Sequence, residues 1–200
     1  MTIAIDMVGT NLRSGTRTYN INFCKHLSQK NLKNKIYIFV TCNYYNEIKK
    51  NNPNIIYVLK PNYFSNIIYR FFWMQFILPF ELRRLDIKKL YSPMNFSPLI
   101  LRILNIRLIL GLHSNLPWVL FKKMPGSFFR KKFTKFMMEK SIKASDTLIT
   151  CSNFAKEEII KCLKIKKKNI LPIYLGVERK FLKTKKNNYY LKKFNYNNYI

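Results

Sequence analysis

The chain has 200 residues, 48% of them hydrophobic and 16% aromatic, and a formal net charge of +28. That length builds one sizeable domain rather than two, and the apolar content excludes a natively disordered chain. Cys24, Cys42, Cys151 and Cys162 form no C-x-x-C pair, which argues against a disulfide framework or a cysteine zinc site and suits a reducing compartment.

The charge has two readings. A strong basic excess suits polyanions such as nucleic acid, anionic lipid or phosphorylated ligands. Yet Asn, Lys, Ile, Tyr and Phe crowd the sequence, as they do in products of AT-rich genomes, and lysine accumulates under that bias with no polyanion to bind. Charge alone therefore assigns no function.

The first predicted element is the strand IAID (3–6). The opening MTIAIDMVGT lacks the basic n-region and long apolar h-region of a signal peptide, so the chain reads as cytoplasmic. The loop GTNLRSGTRTY follows. Gly9 and Gly15 are too far apart for G-x-G-x-x-G, and no Gly-Lys-Ser/Thr follows, so neither dinucleotide nor P-loop fingerprint fits. A glycine at a helix start would still let a phosphate approach bare N–H groups, and a plain surface turn fits the spacing equally well. Residues 16–30 then carry Tyr19, Phe23 and Leu27 every four positions, a helical stripe, with His26 facing solvent.

Strands are predicted at IYIFV (36–40) and NIIYVL (54–59). YFSNIIYRFFWMQFILPF (63–80) could be mistaken for a membrane span, but Asn66, Arg70, Gln75 and Pro79 interrupt it, and mid-membrane Arg costs about 2.5 kcal/mol or more. A half-buried helix is the reading, with a membrane-surface role as the alternative. KKLYS (88–92) reads as a strand, and YSPMNFSP (91–98) as a loop stiffened by two prolines, in which Asn95 could bond a polar ligand or cap the next helix.

RLILGL (107–112) is a strand ending at His113. A lone histidine is more often structural, but the carboxyl end of a strand is where open α/β sheets bind ligands. Residues 128–144 form a helix with Phe129, Phe133, Phe136 and Met137 on one face and Arg130, Lys131, Lys135 and Glu139 off it. Its stretch FFRKKFTKFMMEK interleaves basic and aromatic residues, so this helix, with 63–80, is expected to contact anionic membrane peripherally.

TLITC (147–151) is a strand, and TCSNFAKEEI raises a choice at Ser152. A hydrolase nucleophile elbow needs G-x-S-x-G, and Thr150 and Phe154 fill those flanks, so Ser152 is read as a helix cap. Glu157 and Glu158 are adjacent, diverge on a helix and offer no paired-acid site. A last strand lies in NILPIY (169–174). From 183 to 200 the composition shifts to Lys, Asn and Tyr, giving a domain at 1–182 and a linker at 183–200. Strands alternating with helices predict an α/β fold, a Rossmann-like open parallel sheet with helices on both faces.

In order along the chain, IAID with SGTRTYNINFCKHL, RFFWMQFILPFELRRL, KKLYSPMNFSPL, ILGLHSN and SDTLITCSNFAKEEIIKCLKIKKKNILPIYLGVE resemble the N-terminal, acceptor-side domain of family 4 glycosyltransferases, retaining enzymes of two-domain GT-B architecture. Two departures stand out: Lys88 or Lys89 lies where an acid often stands, and Leu175-Gly176-Val177-Glu178 replaces Asn-Gly-Val-Asp. The resemblance implies that Gly15 and Thr16 meet the donor diphosphate. It implies that His113 contacts the transferred sugar near its anomeric centre, as the catalytic residue. Arg17, Tyr19 and Asn95 would line the acceptor side. It implies a nucleotide-sugar co-substrate, a glycan or lipid-linked acceptor in surface polysaccharide or glycolipid synthesis, no metal and no other cofactor.

The family's donor-side E-x7-E pair is absent from these residues. The expectation is a truncated or split enzyme, inactive alone, with a separately encoded C-terminal domain as partner and a place at the cytoplasmic face of the inner membrane. Two alternatives come from other classes. A basic nucleic-acid-binding protein is favoured by charge but lacks any helix-turn-helix, zinc or RRM signature, so no nucleic-acid partner is expected. A non-catalytic remnant kept for membrane or partner binding is the other.

Overall fold

A computed structural model describes residues 2–10, 15–165 and 169–176; the expected boundary at 182 and the linker at 183–200 lie outside them. The apolar runs form strands β1 (Ile3–Asp6), β2 (Ile36–Thr41), β3 (Ile55–Lys60), β4 (Lys89–Ser92), β5 (Arg107–Leu112), β6 (Thr147–Thr150) and β7 (Ile170–Pro172). They pair in parallel throughout, in the order β3-β2-β1-β4-β5-β6-β7. The order reverses direction between β1 and β4, which opens a crevice beyond their carboxyl ends.

Alternation along the strands sends side chains to two covered faces. Ala4, Phe39, Leu90 and Leu108 enter one core with Trp73, Leu78, Leu82 and Met137. Ile5, Ile38, Val40 and Tyr91 enter the other with Cys24, Tyr44 and Ile48. The first face is covered by α3 (Ile67–Phe72), α4 (Leu78–Arg84) and, after the short α5 (Leu116–Val119), α6 (Phe128–Ala144), the second by α1 (Gly15–Ser28) and α2 (Cys42–Ile48). A third cluster joins Leu110, Leu148 and Ile170 to Ile142 and to Ile159 of α7 (Asn153–Leu163). Helices therefore cover both faces, as the alternating pattern predicts.

The segment 63–80 is half-buried but not one helix. A 3-10 turn over Asn62–Ser65 leads to α3, a π-helical turn over Trp73–Ile77, and then α4, with Pro79 in its first turn. Proline has no N–H to give and its ring crowds the carbonyl four residues back, so the widened turn ahead of it admits the ring. That turn also buries Trp73, Met74 and Gln75 together.

Helix α6 spans the predicted 128–144, but its buried residues are Met137, Met138, Ser141 and Ile142. Phe129, Phe133 and Phe136 are exposed, so only Met137 of the expected apolar stripe enters the core. Ser152 accepts a hydrogen bond from the Ala155 N–H at 3.1 Å and caps α7, as its flanks indicate. No described helix is long and apolar enough to cross a membrane.

Candidate functional site

The crevice is lined by the segments that follow β1, β4 and β5. Its floor is ionic. Asp6, fully buried at the end of β1, accepts both terminal guanidinium nitrogens of Arg70 at 3.1 and 2.8 Å and the Trp73 indole N–H at 3.2 Å. The Val8 N–H adds a fourth bond at 3.2 Å. A buried carboxylate is tolerated only when paired and hydrogen-bonded in this way. Gly9, at φ +74°, lets the arginine pass, because a Cβ there would lie 2.7 Å from Arg70 Cδ.

Gln75, from the π-helical turn, fixes the loop after β4. Its amide donates to the Ser97 carbonyl and its Oε1 accepts from the Leu99 N–H, both at 3.1 Å. Within that loop Asn95 adopts a left-handed backbone, φ +63°, which asparagine tolerates better than most residues. Its N–H donates to the Gly111 carbonyl at 3.1 Å, and its side-chain Oδ1 accepts from the His113 N–H at 2.7 Å. Asn95 thus bridges the β4 and β5 loops, a role beyond the two weighed from sequence.

His113 is packed from the other side by α1. The ring of Tyr19 lies 4.5 Å from the imidazole, centroid to centroid, and the Tyr19 hydroxyl meets that of Tyr91 at 2.6 Å. One imidazole nitrogen bonds the Pro93 carbonyl, while Nε2 is buried with no hydrogen-bond partner among the described residues. Burial pushes the His113 pKa down, and the Pro93 bond opposes this without reversing it, so the ring is neutral at neutral pH. Burial likewise raises Tyr19 and Tyr91, so both remain phenols. Gly111 keeps this cluster closed: a Cβ there would sit 3.1 Å from Pro93 Cα, 3.1 Å from the Tyr91 hydroxyl and 3.5 Å from Nε2.

The sequence-predicted residues divide accordingly. Tyr19, Asn95 and His113 meet in one cluster. Gly15 and Thr16 open the first turn of α1, and among the described residues nothing lies within 4 Å of where a Gly15 Cβ would stand. Arg17 turns to α2, where its Nε meets Glu47 at 2.7 Å and its carbonyl accepts from the Tyr44 hydroxyl at 3.0 Å. Asp6, Arg70, Tyr91 and Gln75 were not singled out from the sequence as site residues. An acid closing an apolar strand, as in IAID, was the one available signal. Among the described residues no group of three or more His, Cys, Asp or Glu side chains is placed to hold a metal ion.

A doubly wound parallel sheet with polar side chains gathered beyond its carboxyl ends is a Rossmann-like α/β fold. The chain belongs to Glycosyltransferase Family 4, whose sequence profile matches residues 13–181. No curated protein matches it. Among solved structures it is similar to the apo form of the lipopolysaccharide outer core galactosyltransferase WaaB, at 15% identity and TM-score 0.47, over 89% of this chain and 46% of that one. A second likeness is to the wall teichoic acid polymerase TagF, at 15% identity and TM-score 0.42, over 86% of this chain and 39% of that one. The chain spans less than half the length of either.

Proposed function

We propose that this domain is the acceptor-side half of a retaining glycosyltransferase. It acts on a nucleotide-sugar donor and a glycan or lipid-linked acceptor in surface polysaccharide or glycolipid synthesis. The observation that carries the reading is His113: a neutral imidazole with an unused buried nitrogen, held between Asn95 and Tyr19 one strand from the switch point of a family 4 domain. Such a ring can accept a hydrogen bond from a sugar hydroxyl without adding a charge once the side chain turns to bring that nitrogen into the cleft. Gly15 and Thr16 offer the open first turn of α1, where N–H groups favour the donor diphosphate. Asn95, Tyr19 and Arg17 border the acceptor.

Retaining transfer of this kind proceeds by front-face attack. The acceptor oxygen bonds to the anomeric carbon as its bond to the diphosphate breaks, and the leaving phosphate oxygen takes the acceptor's proton. Basic side chains and helix N–H groups can stabilise that leaving group with no metal. Attack needs the donor fixed against the acceptor, an entropic advantage that one wall of a cleft does not supply. A second domain, on the same polypeptide or separately encoded, is proposed to hold the donor.

The test is a chimera joining residues 1–182 to the donor-binding domain of another family 4 enzyme, assayed with sugar-labelled nucleotide donors and lipid-linked or glycan acceptors. Transfer that is lost in His113→Ala, with folding intact, supports the reading. Undiminished transfer in that variant removes His113 from the site. The 200-residue chain by itself should bind nucleotide sugars no better than about millimolar, roughly −4 kcal/mol.

A further inference from the structure

Two phenols close over the unpartnered nitrogen of His113. Strand β5 carries Gly111 beside β4, and the Tyr91 hydroxyl and His113 Nε2 lie 3.1 and 3.5 Å from where a Cβ on that glycine would stand. Tyr19 comes down on both from α1. Its hydroxyl meets that of Tyr91 at 2.6 Å, and its ring lies 4.5 Å from the imidazole, centroid to centroid. Phe23, one turn further along α1, stacks on Tyr19 at 6.0 Å and packs against the Tyr91 ring at 5.6 Å. The imidazole is thus covered by a ring whose position is fixed at its far end by one hydroxyl–hydroxyl bond.

The protons in this cluster do not balance. Burial keeps both phenols protonated, so the pair holds two protons, and the bond between them uses one. Among the described residues no acceptor takes the second, while Nε2 beside them is an acceptor with no donor. A buried acceptor left over in this way lowers the stability of the closed arrangement, and a ligand that brings a donor recovers the loss. The ring of Tyr19 blocks the turn that would bring Nε2 into the cleft, so Tyr19 has to move aside first. Opening then exposes the flat face of a phenol and a neutral nitrogen acceptor. A sugar matches both, since its ring has an apolar face to lay on the phenol and hydroxyls to donate to the nitrogen. A diphosphate brings acceptors only and leaves Nε2 unsatisfied.

We propose that the Tyr19–Tyr91 hydroxyl bond is a latch that holds the His113 imidazole turned inward, and that a sugar opens it by giving Nε2 its missing donor. Tyr91 is then a positioning residue that acts on His113 through Tyr19. The purpose of the latch rests on the transferase reading above, but its existence does not.

The 200-residue chain has two histidines, and His26 is exposed, so labelling with diethyl pyrocarbonate, read by mass spectrometry, measures His113 against an internal standard. In the wild type His113 should react far more slowly than His26. Tyr91→Phe and Tyr19→Phe each delete the same bond, and each should raise the His113 rate about fivefold with His26 unchanged. The double variant should rise no further than either single one, because there is one bond to lose. A wild-type His113 as reactive as His26 overturns the proposal, as do single variants with undiminished protection or a double variant whose rise is the product of the two. Should a variant fail to fold, the nuclear Overhauser contact between the Tyr19 and His113 rings in the wild type decides: its presence supports the cover, and its absence overturns it. In the chimera Tyr91→Phe should lower KM for the acceptor about fivefold and leave kcat unchanged, because the acceptor no longer has to break the bond. An unchanged or raised KM overturns the gating. A chimera that transfers nothing, beside a His113 that is protected and released as stated, would count against the transferase reading and leave the latch standing.

Discussion

Arg70 reaches back over 64 residues of sequence to hold Asp6 with both terminal nitrogens of its guanidinium. The pair ties α3 to the end of β1 and sets the floor of the crevice, since Gly9 packs directly on the arginine stem. Removing one partner of a buried pair leaves the other charged and unsolvated, at a cost of about 3–5 kcal/mol. Arg70→Met should therefore lower stability by about that amount in urea melts. The double variant Asp6→Asn, Arg70→Met should recover part of the loss, because no isolated charge remains. Loss of less than about 1 kcal/mol in the single variant, the range of an exposed pair, would mean that water reaches Asp6.

His113 should leave a mark on stability against pH. Burial lowers its folded pKa below the unfolded value of about 6.5. Between those two pH values the unfolded chain binds the proton that the folded chain refuses, so stability rises with pH in that window. The contribution is present in full above about pH 6.5 and is lost as pH falls through the folded pKa. His113→Gln keeps polarity and removes the titration. The difference between wild-type and variant denaturation midpoints should therefore be flat near neutrality and turn against the wild type in acid. A difference of opposite sign would show a charged, stabilised imidazole.

Ser152 separates a cap from a nucleophile. Its oxygen serves only the first turn of α7, so Ser152→Ala should cost about 1 kcal/mol of stability and Ser152→Gly less. Neither should change sugar transfer in the chimera beyond what altered folding explains. An activity lost with no stability change would contradict the capping role.

The sheet was legible because parallel strands covered on both faces write themselves as short apolar runs, and RLILGL marks β5 end to end. His113 stood out because it directly follows such a run. Tyr19 and Asn95 were named through the family resemblance, but that they adjoin His113, and that Tyr91 joins them, was not legible, because these residues meet only once β4 and β5 are paired. The π-helical turn was hidden as well. WMQFI has ordinary helical composition, and Pro79 marks a disturbed helix without saying that the turn ahead of it widens rather than breaks. On α6 the periodicity was real but its direction misled: helical spacing groups the phenylalanines without saying whether sheet or solvent receives them, and the methionine side entered the core.

Two glycines in the cleft make opposite predictions. At Gly111 a Cβ would press on Pro93 Cα and the Tyr91 hydroxyl at 3.1 Å, and the backbone of Pro93 cannot turn aside as a side-chain tip can. Gly111→Ala should therefore destabilise the fold by about 1–3 kcal/mol, as overpacking does, and disturb the contact between Tyr91 and Tyr19. At Gly15 nothing among the described residues lies within 4 Å of the added carbon, and the residue begins a helix in which alanine is intrinsically better by up to about 1 kcal/mol. Gly15→Ala should leave the melting curve unchanged or shift it slightly upward. Any loss it causes should appear instead in donor binding, because the open space is what the proposed diphosphate would occupy. Calorimetry of the chimera with a nucleotide sugar, alongside urea melts of both variants, checks the pair. A destabilised Gly15→Ala would show that the glycine serves folding, and undiminished donor affinity in a stable Gly15→Ala would remove it from the diphosphate site.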